Sequence, residues 1–231
     1  MTENRLKSVC ALGVLLFLVS LLAGPAAGSD SPKYGGVFKM ATHQDIPTLD
    51  CMMSSADVVY EPGGHIFETL VQYITADGKI APELADRWTV SKDNLKFTFN
   101  IRQGVKFHNG AELTSEDVLA SVERWFKNGA RGGIARPYLD RLSTPDKYTF
   151  EIYLKQPYGP LLSLLGFGNG GPVIIPAKIA REAGAEMLKP ENYIGTGPYK
   201  FGKWVQGEYV SLDRWEGYVP TWQVYREKFK A

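Results

Sequence analysis

Two stretches of this chain change polarity at every residue, and that narrows the folds open to it more than any other feature. Leu95, Phe97, Phe99 and Ile101 alternate with Lys96, Thr98, Asn100 and Arg102. Tyr148, Phe150, Ile152 and Leu154 alternate with Thr149, Glu151, Tyr153 and Lys155. Successive side chains of an extended strand point to opposite faces, so a period of two predicts strands with one buried and one wet face. A helical period lies between them. Thr114 is suited to cap an N-terminus, Glu116 and Asp117 fall in the first turn, and Val118, Val122, Trp125 and Phe126 recur at helical spacing up to Asn128-Gly129.

Weaker signals fill in the rest. Gly35-Gly36 opens an apolar strand through Val37, Phe38, Met40 and Ala41, and a turn-rich segment follows Pro47. Residues from about Val58 to Val71 are expected to be helical on either side of Gly63-Gly64, with Ile66, Phe67, Leu70 and Val71 as the apolar face. Asp77-Gly78 reads as a hairpin turn. Leu161 to Leu165 is a short apolar run, Gly166 to Pro172 a loop, and Pro176 starts a helix to about Ala183. Tyr199–Phe201 and Tyr209–Leu212 read as paired strands around Gln206-Gly207. Strands and helices mix without a regular βαβ rhythm, which predicts an α+β (mixed α/β) fold.

The N-terminus is of another kind. Arg5 and Lys7 precede an apolar run from Val9 to Ala23, and small residues follow at Gly24, Ala26, Ala27 and Gly28. This is the pattern of a cleavable export signal over residues 1–28, too short for a spanning helix, with a permanent anchor as the rival reading. Ser29 and Asp30 stand where a lipoprotein would carry its cysteine. Cleavage would remove Glu3, Arg5, Lys7 and Cys10, leaving the charges balanced and Cys51 as the only thiol, a buried hydrophobe or a liability. With 26 basic against 25 acidic residues in all, there is no surplus for gripping a phosphate backbone, so nucleic acid is not an expected partner.

Catalytic and metal motifs do not assemble. Gly166-Phe167-Gly168-Asn169-Gly170-Gly171 spells G-x-G-x-x-G, but Pro172 and a strand-like Val173-Ile174-Ile175 follow where a dinucleotide site needs a helix, so a plain flexible loop is expected. His43, His65 and His108 have no metal spacing, the carboxylates form no metal loop, and no cofactor is expected. Glu116-Asp117 read as compensation of a helix dipole rather than as paired acids. Trp88, Trp125, Trp204 and Trp215 are core on the bland reading; the functional reading gives a few aromatics to a concave pocket.

Several motifs together resemble a known family. Ala85-Asp86-Arg87-Trp88, the run Asp93 to Arg102, Gly104 to Gly110 and Thr114-Ser115-Glu116-Asp117-Val118 are similar to the signature of the family 5 extracellular solute-binding proteins, the peptide, dipeptide and nickel-type receptors of ABC importers. Leu49-Asp50, Phe67-Glu68-Thr69-Leu70, Pro82-Glu83-Leu84-Ala85 and Gly195-Thr196-Gly197-Pro198-Tyr199 agree and stand in family order. Cys51, where the family often has proline, and Ser115, where alanine is commoner, depart from it.

The resemblance implies a type II periplasmic-binding-protein-like fold whose two lobes close over a solute. It divides the chain into the signal (1–28), the first segment of the hinge lobe (29–60), an inserted subdomain (61–172) and a truncated return segment (173–231). It implies a monomer that is no enzyme, works outside the membrane, and hands a peptide or other small solute to the membrane subunits of an ABC permease. By position the turn Met53 to Asp57 matches the family segment that meets the ligand, making Ser55 and Asp57 the candidate binding residues; capping a turn is their other reading. Family members are about twice as long, with a second large lobe beyond the Gly-Thr-Gly-Pro-Tyr strand pair. The chain is therefore expected to correspond to the N-terminal part, as a fragment or a truncated gene product. A non-binding receptor remnant and an exported hydrolase remain the alternatives. The expected outcome is weak or no binding of oligopeptides by residues 29–231 in calorimetry; micromolar or tighter binding is the contrary result.

Overall fold

The computed structural model describes residues 35–74 and 76–220, so the expected export signal lies outside the described residues. Among the described residues, 35–41 and those from Thr42 to Pro220 fall in separate units. In the first, Gly35–Ala41 is exposed and has no regular secondary structure. The strand expected over Val37 to Ala41 is thus not formed. An apolar run makes extended backbone possible but does not supply the ladder of hydrogen bonds that makes a strand.

The second unit is built around one four-stranded antiparallel sheet. Its strands are β3 (Ala85–Val90), β4 (Lys96–Ile101), β5 (Leu139–Asp146) and β6 (Thr149–Leu154), in the order β3-β4-β6-β5. The two runs with a period of two are its central strands, registered so that Phe99 faces Phe150 and Phe97 faces Ile152. Phe97, Phe99, Ile101, Phe150, Ile152 and Leu154 are all buried, and the Phe99 and Phe150 rings stack at 6.2 Å. Cross-strand pairs of this kind set the register, since a slip of one residue would turn every apolar side chain to water. The edge strands carry no such alternation. β5 holds Pro145, which an edge position tolerates because one side of the strand needs no donor.

Helix α2 (Ser115–Asn128, after α1 at Asp57–Gly63) covers the sheet with Val118, Val122, Trp125 and Phe126 buried. Its start is a capping box in which the Thr114 amide and hydroxyl both donate to Asp117 Oδ2 at 2.9 Å. The other oxygen of Asp117 accepts the Ala177 amide at 2.8 Å and so opens α5 (Ala177–Ala183), while Ser121 bonds both polar groups of the Ile175 backbone. Between them run the short α3 (Gly132–Ala135) and α4 (Leu161–Gly166). Two hairpins complete the unit: β1 (Val71–Ile74) with β2 (Lys79–Pro82), turning at Asp77-Gly78 as expected, and β7 (Tyr199–Val205) with β8 (Tyr209–Arg214). No helix among the described residues is long and apolar enough to cross a membrane.

One expected helix is only half present. α1 ends at Gly63, and Ile66, Phe67, Leu70 and Val71 are buried in turn and extended chain instead. The carbonyls that a continuing helix would use are taken: Gly197 N–H donates to Ile66 O at 2.9 Å and Tyr199 N–H to His65 O at 3.0 Å. Only glycine permits this approach, because a Cβ at Gly195 would lie 2.1 Å from Ile66 O and one at Gly197 2.5 Å from His65 O. A tertiary strand-like pairing outcompetes the local helix.

Beneath these elements lies a buried ion pair. Arg124 on α2 and Asp50 have side chains 1% and 0% exposed, with Nη2 at 2.7 Å from Oδ2. Asp50 also accepts the Met52 amide at 3.2 Å and the Leu188 amide at 3.0 Å. Arg124 also donates to the carbonyls of Gly184 at 3.0 Å and Glu186 at 2.7 Å. Removing one partner strands a charge in the interior. Arg124→Met is expected to cost about 3–5 kcal/mol in urea unfolding. Adding Asp50→Asn to that variant is expected to restore part of the loss.

Candidate functional site

Two features that look unrelated in the sequence meet in the fold: the turn bearing Ser55 and Asp57, and the glycine loop 166–171. The loop is not open and flexible. Gly170 and Gly171 are buried, Gly170 N–H donates to Cys51 O at 2.7 Å, and Gly170 O accepts the Trp125 indole N–H at 2.8 Å. Pinned on both sides, it holds Asn169 over the turn, where Nδ2 donates to Asp57 Oδ1 at 2.9 Å and to Ser55 O at 3.4 Å. Gly168 lies so close to Tyr60 that a Cβ there would sit 1.9 Å from the ring.

A third segment joins from the end of α2. Ala130 N–H donates to Met52 O at 2.9 Å, and Arg131 Nε donates to Asn169 O at 2.8 Å. The Arg131 guanidinium rests 5.0 Å from the Phe167 ring centre, and Phe167 packs against Tyr73 of β1 at 4.8 Å. The bond to Asn169 uses Nε alone, leaving the Nη groups of the fork to face another acceptor.

Ser55 and Asp57 are both exposed on this surface. Capping of the turn falls to the neighbouring Ser54, whose Oγ accepts the Ala56 amide at 3.2 Å. Asp57 lies in the first turn of α1, where a carboxylate also meets the positive end of the helix dipole. The surface therefore presents a carboxylate, a guanidinium, an amide, a hydroxyl and the aromatic groups of Tyr60, Tyr73 and Phe167. Burial first, then the Glu83 carboxyl, holds the Tyr60 hydroxyl above its ordinary pKa, so its proton stays on to donate. Arg131, Asn169 and Tyr60 were not singled out from the sequence. The usable signal was the density of glycine around 166–171, which marks close backbone approach as well as looseness.

The remaining reactive side chains serve the framework. Cys51 is buried with Sγ 3.8 Å from Val59 O, and burial, then the Asp50 charge, pushes its thiol far up, so it offers no thiolate. His108 holds the Gly-Thr-Gly-Pro-Tyr segment: Nε2 is 2.9 Å from Gly197 O and Nδ1 accepts the Gly195 amide at 3.3 Å. That arrangement fits the neutral ring, and burial lowers its pKa while the Gly197 carbonyl works against the shift. Among the described residues, no group of three or more His, Cys, Asp and Glu comes together to hold a metal. A separate groove of about 350 Å³, lined by His108, Glu191, Tyr193 and Lys200 among others, shares none of the residues of the Asp57–Arg131 surface.

Comparison with known proteins gives the family to which the chain is similar. Residues 79–231 match the family described as bacterial extracellular solute-binding proteins, family 5 Middle. A probable peptide ABC transporter periplasmic-binding protein of Sinorhizobium fredii is 32% identical over 94% of this chain and 40% of its own length. A probable D,D-dipeptide-binding periplasmic protein of Escherichia coli is 30% identical over 89% of this chain and again 40% of its own. The chain thus spans about two fifths of these relatives. Among solved structures, the periplasmic binding protein of Helicobacter pylori in complex with the peptide STSA superposes with a TM-score of 0.67 at 28% identity, covering 76% of this chain and 38% of that one. A Brucella suis protein in complex with Fe(III)-EDTA gives 0.67 and 28% over 76% of this chain and 35% of its own. The mixed α/β build and its likeness to part of a periplasmic binding protein agree with the fold class read from the sequence.

The packing of Gly168 on Tyr60 can be measured directly. Gly168→Ala is expected to cost about 1–3 kcal/mol by overpacking, and clearly less in a Tyr60→Ala background. Denaturant unfolding of the four proteins in that cycle checks it.

Proposed function

This chain belongs to the bacterial extracellular solute-binding proteins of family 5, and we propose that it forms one wall of a cleft that captures a short peptide for an ABC permease. The observation that carries the reading is the joining of three distant segments into one open surface, with Ser55 just before α1 and Asp57 in its first turn, Arg131 after α2 and Asn169 between them. A short peptide offers an ammonium, a carboxylate, amides and variable side chains. Asp57 suits the ammonium, the Arg131 fork suits the carboxylate, and Asn169 and Ser55 suit the backbone. Phe167, Tyr73 and Tyr60 suit apolar side chains, and water between wall and ligand lets those side chains vary.

Relatives named for peptides and dipeptides, and the neighbour bound to STSA, support this choice of solute. The family is one of transport receptors, and the reading makes this chain a binding component rather than an enzyme. Its partners are the solute and the permease's membrane subunits, it acts as a monomer without a cofactor, and residues 1–28 export it to the periplasm or its equivalent. Ligand capture then draws on closure of a second wall, so binding to this wall alone is weak.

Titrating di- to tetrapeptides to millimolar concentration into the isotopically labelled chain tests the proposal. Expected are amide shifts at Ser55 to Tyr60, Arg131 and Phe167 to Gly170, with binding weakened about tenfold, or roughly 1.4 kcal/mol, by Arg131→Ala or Asp57→Ala. Shifts confined to other surfaces, or unchanged affinity in both variants, would overturn it.

A further inference from the structure

The base of the β1–β2 hairpin is closed by a contact that counts protons. The Thr69 hydroxyl lies 2.6 Å from Val71 O and 2.5 Å from Glu83 Oε2, while the Thr69 amide donates to the same Oε2 at 2.9 Å. A hydroxyl carries one proton, and a backbone carbonyl can only accept. The Thr69 proton therefore goes to Val71 O, and the contact with Glu83 needs a proton from the carboxyl. Thr69, Glu83 and the adjacent Glu68 are 5%, 7% and 3% exposed, so no bulk water substitutes for that bond.

From this geometry we propose that Thr69 and Glu83 form a proton-held latch at the base of the β1–β2 hairpin, which opens when Glu83 ionises. The groups around it set the point of release. Burial first, then the charge of Glu68, raises the Glu83 carboxyl to about 8, against the hydrogen bond from the Thr69 amide and the charge of Arg102, whose Nε donates to Glu83 O at 2.5 Å. Tyr218 donates to Glu68 Oε1 at 3.1 Å, and Tyr60 lies within the field of Glu83.

The latch ties together more than one hairpin. Leu84 and Ala85 N–H donate to Thr69 O and Leu70 O at 3.3 and 2.8 Å, and Ile174 N–H donates to Glu68 O at 2.9 Å just after the glycine loop. β1 also carries Tyr73, which backs Phe167 in the Asp57–Arg131 surface. An alkaline shift thus loosens one support of that surface. This consequence rests on the solute-facing reading, whereas the latch itself is tested with no solute present.

The sign follows from proton linkage. The folded chain keeps the Glu83 proton to about pH 8 while an opened one releases it near 4.5, so opening becomes easier as pH rises across that window; the latch stays protonated to about pH 8, but its stabilisation is full only below about 4.5 and is lost as pH passes 8. Opening constants for amides 69–85, from hydrogen exchange of the full chain corrected for intrinsic rates, are expected to rise by nearly tenfold per pH unit there. Infrared spectra are expected to show a protonated carboxyl at neutral pH that is lost in alkali, and Glu83→Gln to remove both effects. Should that variant fail to fold, Glu68→Gln is expected to move the wild-type infrared transition to lower pH. A wild type with no protonated carboxyl at neutral pH, a band that survives Glu83→Gln, or a midpoint unmoved by Glu68→Gln would overturn the latch.

Discussion

A guanidinium and a carboxylate that water hardly reaches fix where the major segments of this molecule stand. Asp50 precedes the turn of the candidate site, Arg124 sits in the middle of α2, and both reach the 184–188 turn after α5. Two charges removed from water are expensive, and their attraction offsets that cost only when the remaining donors and acceptors are also matched. Here the carboxylate receives two backbone amides and the guanidinium meets two carbonyls, so the pair is satisfied in one arrangement of the three segments. Displacing any of them strands a buried charge. The turn that presents Ser55 and Asp57 is therefore anchored a few residues upstream of where it meets solvent.

The rest of the scaffold is held by close backbone approach. Gly195 and Gly197 bring one segment against the carbonyls of His65 and Ile66, and Gly168 brings the loop against Tyr60. In each case the missing Cβ lets main chains or rings meet at distances no other residue permits. What looks like looseness along the sequence is tight packing across it. A fixed loop can hold Asn169 and, through it, Arg131 in place.

Three carboxylates show how burial assigns different work to the same group. Asp57 is exposed to solvent, beside an amide that orients it. Asp50 is buried and matched by a cation. Glu83 is buried beside another carboxylate and keeps its proton instead. Composition treats these residues alike. The difference lies in which opposite charges and donors the fold brings within reach.

The sequence alone determined the elements whose signals are local. The period of two placed β4 and β6, the capping pattern placed α2 from Ser115 to Asn128, and Asp77-Gly78 placed the first hairpin, because pleat, helical period and turn chemistry are written in consecutive residues. The motifs also sufficed for the family. Only the tertiary structure decided the rest. β3 and β5 are edge strands with little alternation, since an edge has no second neighbour to demand it. The helix expected to run to Val71 gave way to pairing with 195–199, and no extended partner made a strand of Val37 to Ala41. Ser55 and Asp57 could be named from position, but Arg131 and Asn169 join them only because the glycine loop folds back across more than a hundred residues of chain. Such contacts depend on which surfaces remain to be buried once the local elements have formed, and no window of consecutive residues carries that information.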